Sequence, residues 1–363
     1  MNVLPGIVLS FIIAFFGIKI ADILSAEIFK MSKSPISPIM IAIIIGLIIR
    51  NTVKISDIFF HGTNFSLKII LKFGIICLGI RLGFLDILKI SAVGIPLILG
   101  CIAISIFAVV YFCKILQVSS KIGSLIAVGT SICGATAIVA TGPAINANKE
   151  EVTYAIANIT IFGIVAMLLY PFLAYYLFDG DKFLAGLFLG TSIHETAQVA
   201  GAGLIYSGQY SSPEAMNIAT ITKLVRNMTM VVVIPLISYI YIRGSDTSQN
   251  TRTPLSSIFP FFIIGFMLMG LFRSVGDYGV QETQLAFGMI SENLWISVVD
   301  FTKSTAEYSL AISMAAIGLS TNLRSLKSLG IKPFYVGFCA AMSVGLISYL
   351  GIQLMKVTNF IVL

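Results

Sequence analysis

Long apolar runs decide what this chain can fold into. Residues 91–113, SAVGIPLILGCIAISIFAVVYFC, contain no charged side chain. A bilayer-spanning helix needs about 20 such residues, and in lipid a helix satisfies all of its own backbone groups. Similar runs recur along the whole chain. Apolar residues make up 57% of the sequence and charged residues 11%, against about 45–50% and about 25% in a soluble domain. The sequence predicts an all-α, polytopic transmembrane bundle of about eleven spans. They are placed at 4–24, 37–49, 67–84, 91–113, 122–145, 152–178, 183–207, 215–242, 257–273, 293–320 and 333–356. The first is expected to be an uncleaved helix rather than a signal peptide, since no Lys or Arg precedes it.

The chain is expected to form one integral membrane domain over 1–363, with two bundles or repeats near 1–178 and 183–363. A polar linker is expected at 244–253, GSDTSQNTRT. The net charge of +7 is carried by Lys and Arg at the ends of apolar runs, which fits a membrane topology and not a nucleic-acid partner. With eleven spans, one side carries Arg50, Lys54, Lys114, Lys121, Lys182, Arg243, Arg252, Arg324, Lys327 and Lys332. The other carries chiefly Lys30, Lys33, Lys89, Lys149 and Arg273. The positive-inside rule then puts the N-terminus inside and the C-terminus outside.

Two internal similarities stand out. Gly129–Val139 reads GTSICGATAIV and Gly190–Ala200 reads GTSIHETAQVA. Farther apart, Leu85–Lys89 (LDILK) precedes Gly94, Pro96 and Gly100, as Leu323–Lys327 (LRSLK) precedes Gly330, Pro333 and Gly337. The long-range pair is an odd number of spans apart and predicts an inverted repeat. The GTSI pair is two spans apart and would face the same way if both spans cross fully. Either an intervening segment is re-entrant, or the two stretches converged on one packing need. Small residues inside a span let helices approach closely. The repeated wording favours broken helices, whose unwound backbone offers N–H and C=O groups to a substrate or ion.

Ionisable residues at bilayer depth suggest function. His194, Glu195 and Gln198 form one such group, and Lys223 with Arg226 a second. Asp300, Lys303 and Glu307 form a third, at a spacing that lets Lys303 reach both acids. HETAQ (His194–Gln198) lacks the second His of a zinc-protease motif, and the other His in the chain is His61, so neither metal nor cofactor is expected. Cys77, Cys101, Cys113 and Cys339 read as small buried filler. Cys133 is set apart by its neighbours.

The stretches GTSICGATAI (Gly129–Ile138), EEVTYAIANITIFGIVAMLLYP (Glu150–Pro171), SIHETAQVAGAG (Ser192–Gly203) and IATITKLVRN (Ile218–Asn227) resemble the YeiH-type sulfate-exporter family. The resemblance runs over nearly the whole chain. It implies a multi-pass protein of the bacterial cytoplasmic membrane, distantly similar to the bile-acid and sodium–proton antiporter folds with their inverted repeats. The paired aspartates of many sodium–proton antiporters are missing.

Two functions follow as expectations. The first is a secondary transporter of a small anion such as sulfate or a related sulfur oxyanion. Thr130, Ser131, Cys133, Thr191, Ser192, His194, Glu195, Gln198, Lys223 and Arg226 would line its site, and His194 with Glu195 would carry a coupling proton. The second is a sodium/proton exchanger using Glu195, Asp300 and Glu307, with Lys303 beside them. A receptor or an intramembrane enzyme is the third and weakest reading. The sequence leaves a homo-oligomer open.

Overall fold

The computed structural model describes residues 2–24, 38–243, 260–322 and 330–358. The linker 244–253, the second LRSLK copy, Lys30, Lys33 and Arg252 lie outside them. In chain order the helices are α1 (Leu4–Ile23), α2 (Pro38–Thr52), α3 (Asp57–Arg81, with a π-helical stretch at Ser66–Ile70), α4 (Phe84–Leu116), α5 (Ser120–Ser131) and α6 (Ala135–Ala144). They continue with α7 (Lys149–Leu177), α8 (Lys182–Ser192), α9 (Thr196–Tyr210), α10 (Pro213–Met228), α11 (Met230–Arg243) and α12 (Phe262–Thr283). A two-residue ribbon pairs β1 (Leu285–Ala286) with β2 (Ile290–Ser291), and α13 (Glu292–Ser320) and α14 (Lys332–Val357) close the order.

Among the described residues six helices, α1, α3, α4, α7, α12 and α14, are long and apolar enough to cross a membrane. The pair α10 and α11, bent by 42°, makes a seventh if it is one span. Many large apolar side chains point outward, among them Leu99, Phe107, Leu169 and Leu346, as a lipid-facing surface requires.

By contact the chain divides into two compact units. One comprises Met1–Ala92, Leu204–Pro213 and Phe261–Ser320; the other comprises Val93–Gly203, Glu214–Pro260 and Thr321–Leu363. This is a different partition from sequence halves at 1–178 and 183–363. In the first unit α2 and α13 touch backbone to backbone. A Cβ on Gly46 would stand 2.7 Å from the Ala315 carbonyl oxygen.

The second unit holds both GTSI motifs, and neither lies in a full span. In an unbroken helix Lys121 and Asn146 would be about 37 Å apart, yet the Lys121 Nζ donates to the Asn146 carbonyl at 2.8 Å. A Cβ on Gly129 would likewise stand 2.7 Å from Ile138 Cδ1. Helices α5 and α6 therefore fold back on each other as a hairpin, with Ile132–Gly134 at its tip. They have 12 and 10 residues, or about 18 and 15 Å, so neither alone crosses a core of about 30 Å.

The second motif repeats this design. Lys182, at the start of α8, is 4.0 Å from Glu214 at the start of α10. A Cβ on Gly186 or Gly190 would stand 2.8 or 2.7 Å from the carbonyls of Ala215 and Ala219, so α8 and α10 run in the same direction. Gly203 of α9 packs on Met216 of α10. Helices α8 and α9 thus form a second hairpin with its tip at Ile193–Glu195.

Helix α7 joins the two hairpins. It begins with a capping box, Asn148 accepting from the Glu151 N–H while the Glu151 carboxylate accepts from the Asn148 N–H. Its 29 residues span about 43 Å. The base of the first hairpin sits at the start of α7 and the base of the second at its end. The two hairpins therefore enter the unit from opposite ends. Two of the expected spans, 122–145 and 183–207, are corrected to hairpins, because Gly134 and the residues around both tips turn the chain back. Lys121 and Lys149 consequently flank one hairpin base and do not fall on opposite sides, as eleven full spans required.

Candidate functional site

The two tips meet at α10, and the shared GTSI wording does shared structural work. Helix α5 ends at Ser131 and α8 at Ser192, so each motif supplies the last turn of a helix and its exit. The last four carbonyls of a helix have no partner within it. Here those of Thr130, Ser131 and Thr191, together with the exit carbonyls of Ile132, Ile193 and His194, are taken by two cations that are both fully buried, Lys223 and Arg226.

Lys223 Nζ donates to the carbonyls of Ile132 (2.8 Å), Ile193 (2.9 Å) and His194. An ammonium group has three N–H bonds, so these three acceptors use all of them. The Arg226 Nε donates to the Ser131 carbonyl at 2.8 Å, one terminal nitrogen to those of Thr191 (2.6 Å) and Ile193 (3.4 Å), and the other to Thr130. Each cation bridges both hairpins. Positive charge at a helix C-terminus is also favoured by the helix dipole.

The side chains around this core divide into used and unused groups. Thr191 Oγ1 donates to the Leu187 carbonyl (2.7 Å) and also lies 2.6 Å from Ser348 Oγ, while Ser192 Oγ donates to the Phe188 carbonyl at 2.5 Å. Their hydroxyls were expected to face a substrate, and the structure spends them on the helix itself. Cys133 Sγ contacts Met230 Sδ at 2.9 Å. By contrast Ser131 Oγ, His194 Nδ1, Thr222 Oγ1 and Asn227 Oδ1 are buried and have no partner among the described residues. Buried polar atoms are normally satisfied, so Ser131 Oγ and His194 Nδ1, one beside each helix break, mark a place for water or a ligand.

Glu195 links the hairpins from the other direction. It is half-buried, and its Oε1 accepts from the Ala135 N–H at 3.2 Å, at the positive N-terminal end of α6. Gly134 precedes this helix with φ of +73°, and its Cα lies against the Glu195 side chain. Gln198 fixes the second tip, accepting from the Glu195 N–H at 3.2 Å and donating to the Thr160 carbonyl of α7 at 3.1 Å. Asn227 donates to Thr196 at 2.8 Å.

The structure thus brings together Thr130, Ser131, Cys133, Thr191, Ser192, His194, Glu195, Gln198, Lys223 and Arg226. Asp300, Lys303 and Glu307 belong to the other unit. There Lys303 pairs with Asp300 at 3.0 Å, and Glu307 pairs with Arg81 instead of Lys303; both carboxylates are exposed. Arg81 lies too far away in sequence for helix spacing to reveal it. Sequence reasoning also missed Ser348, whose only signal is a hydroxyl inside an apolar run. Among the described residues no group of three or more His, Cys, Asp or Glu side chains could hold a metal ion.

A family model described as "Conserved hypothetical protein 698" matches residues 5–337. A UPF0324 membrane protein of Fusobacterium nucleatum subsp. nucleatum is 32% identical over 357 residues, covering 97% of this chain and 98% of that one. A UPF0324 membrane protein of Bacillus anthracis is 31% identical over 315 residues, covering 86% and 85%. Another, of Streptococcus agalactiae serotype V, is 28% identical over 345 residues and covers 95% of both chains.

Proposed function

The chain belongs to the UPF0324 family of multi-pass membrane proteins, and from that premise we propose that it is a secondary transporter of a small anion. One observation carries the reading. At the hairpin tips two fully buried cations, Lys223 and Arg226, stand with the carboxylate of Glu195 and the positive N-terminal ends of α6 and α9. Buried charge is costly unless it is balanced. An anion entering beside the unpartnered Ser131 Oγ and His194 Nδ1 supplies the balance.

Hairpins entering from opposite ends of one unit suit alternating access, with each half-crossing element screening one face. The two GTSI copies would then be the matched halves of an inverted repeat. Lys114, Lys121, Lys149 and Lys332 lie toward the first hairpin's base, against Lys182 and Lys356 toward the second. The positive-inside rule assigns the first base to the cytoplasmic face of a bacterial cytoplasmic membrane. Sulfate and related sulfur oxyanions are the leading candidates, with a proton carried by His194 or Glu195.

A cation exchanger would need the carbonyls of the broken helices for its ion. Lys223 and Arg226 already occupy them, which favours the anion. The test is flux into proteoliposomes of purified protein. Labelled sulfate or sulfite should accumulate above protein-free controls and saturate. Sodium flux with no anion flux would replace this reading with the exchanger.

A further inference from the structure

We propose that Glu195 is a tethered competitor of the transported anion: its carboxylate holds the N-terminus of α6 when no substrate is bound, and a small oxyanion takes that place. This rests on the anion-transport reading and names the event that occupies the site.

The geometry separates what is fixed from what can move. The backbone of the second tip is anchored, since the Glu195 N–H is held by Gln198, which is itself held by Thr160 of α7. Gln198 also packs directly on Gly163, with no room for a Cβ between them. The Glu195 side chain reaches across, to the Ala135 N–H of the other hairpin. It passes over Gly134, where any side chain would block it. A helix N-terminus binds carboxylate, sulfate and phosphate by the same N–H groups and dipole. The carboxylate is therefore a built-in occupant of a general oxyanion position. Independent of that helix end, Ser131 Oγ and His194 Nδ1 are buried and without partners at the same tips. The Ser131 hydroxyl gives a small oxyanion a hydrogen bond that Glu195 does not use, and His194 Nδ1 gives a second when it carries the ring proton. Lys223 and Arg226 supply the field; Lys223 spends all three N–H bonds on carbonyls and Arg226 four of its five, so the anion meets the Lys223 charge through space.

Glu195→Gln separates competition from simple bracing. Glutamine keeps an oxygen for the Ala135 N–H and removes the charge. The experiment measures sulfate and acetate affinity of the purified full chain, by calorimetry and thermal shift, in wild type, Glu195→Gln and Glu195→Ala. Expected are sulfate binding about fivefold or more tighter in Glu195→Gln than in wild type, and stabilisation of Glu195→Ala by acetate beyond that of wild type. Equal sulfate affinity in wild type and Glu195→Gln would overturn the competition and leave the anion reading standing. Failure of both anions to bind any of the three proteins would overturn both.

Discussion

Lys121 Nζ donates to the Asn146 carbonyl at 2.8 Å, although 25 residues separate them. One bond between the first turn of α5 and the exit of α6 converts an apparent span into a hairpin. Its counterpart, Lys182 with Glu214, closes the second hairpin at the far end of α7.

Sidedness follows from these two contacts. Cysteines placed at Lys121 and Asn146 should both react with an impermeant thiol reagent from one face of the membrane. Cysteines at Lys182 and Glu214 should react from the other. Native Cys77, Cys101, Cys113 and Cys133 are buried, and Cys339, which is half-buried, is replaced by Ser in the labelling background. Labelling of positions 121 and 146 from opposite faces would restore a spanning helix and remove the hairpin.

Arg226 is expected to act by its donors as much as by its charge. Its guanidinium satisfies carbonyls on both hairpins, and a buried orphan carbonyl costs about 1–3 kcal/mol. Arg226→Ala should lower stability by about 3 kcal/mol or more. Arg226→Lys keeps the charge but loses the planar fork, and it should still fall well below wild type in thermal stability. A wild-type melting temperature for Arg226→Lys would mean that charge alone suffices.

Gly134 is the position least able to take a side chain. Its φ of +73° is one that L-residues avoid, and the Glu195 chain occupies the space of a Cβ. Gly134→Ala should cost about 1–2 kcal/mol in backbone strain alone and push Glu195 off the Ala135 N–H. Loss of both melting temperature and anion flux is expected. Normal flux in Gly134→Ala would show that the contact between Glu195 and α6 is dispensable.

The repeated GTSI marked both helix breaks in the sequence because Gly, Thr and Ser weaken a helix interior locally. Hairpin and span could not be separated there, since two half-helices and their tip present the same apolar length as one crossing. Lys223 and Arg226 were conspicuous as charges in an apolar run. Their structural task was hidden because their partners are backbone carbonyls, which no side-chain pattern encodes. His194, Glu195 and Gln198 were legible as a group. That Glu195 reaches Ala135, on the other hairpin, depends on a tertiary meeting of two tips. The i, i+3, i+7 spacing of Asp300, Lys303 and Glu307 correctly gave the Lys303–Asp300 pair. It assigned Glu307 to the wrong partner because Arg81 approaches from α3.

That third charged group yields a prediction that separates the two transport readings. The Asp300 and Lys303 side chains are 62% and 38% exposed, and an exposed ion pair contributes between about 0 and 1 kcal/mol. Asp300→Asn should leave stability nearly unchanged and anion flux intact. Glu307→Gln should cost more, because the Arg81 side chain is only 9% exposed and would keep a charge without its carboxylate. A cation exchanger predicts the opposite order of importance: sodium would stabilise the wild type, and Asp300→Asn would abolish that effect. Thermal shift with and without sodium, on both variants and wild type, decides between them. A sodium shift that vanishes with Asp300 would move the functional centre away from the hairpin tips.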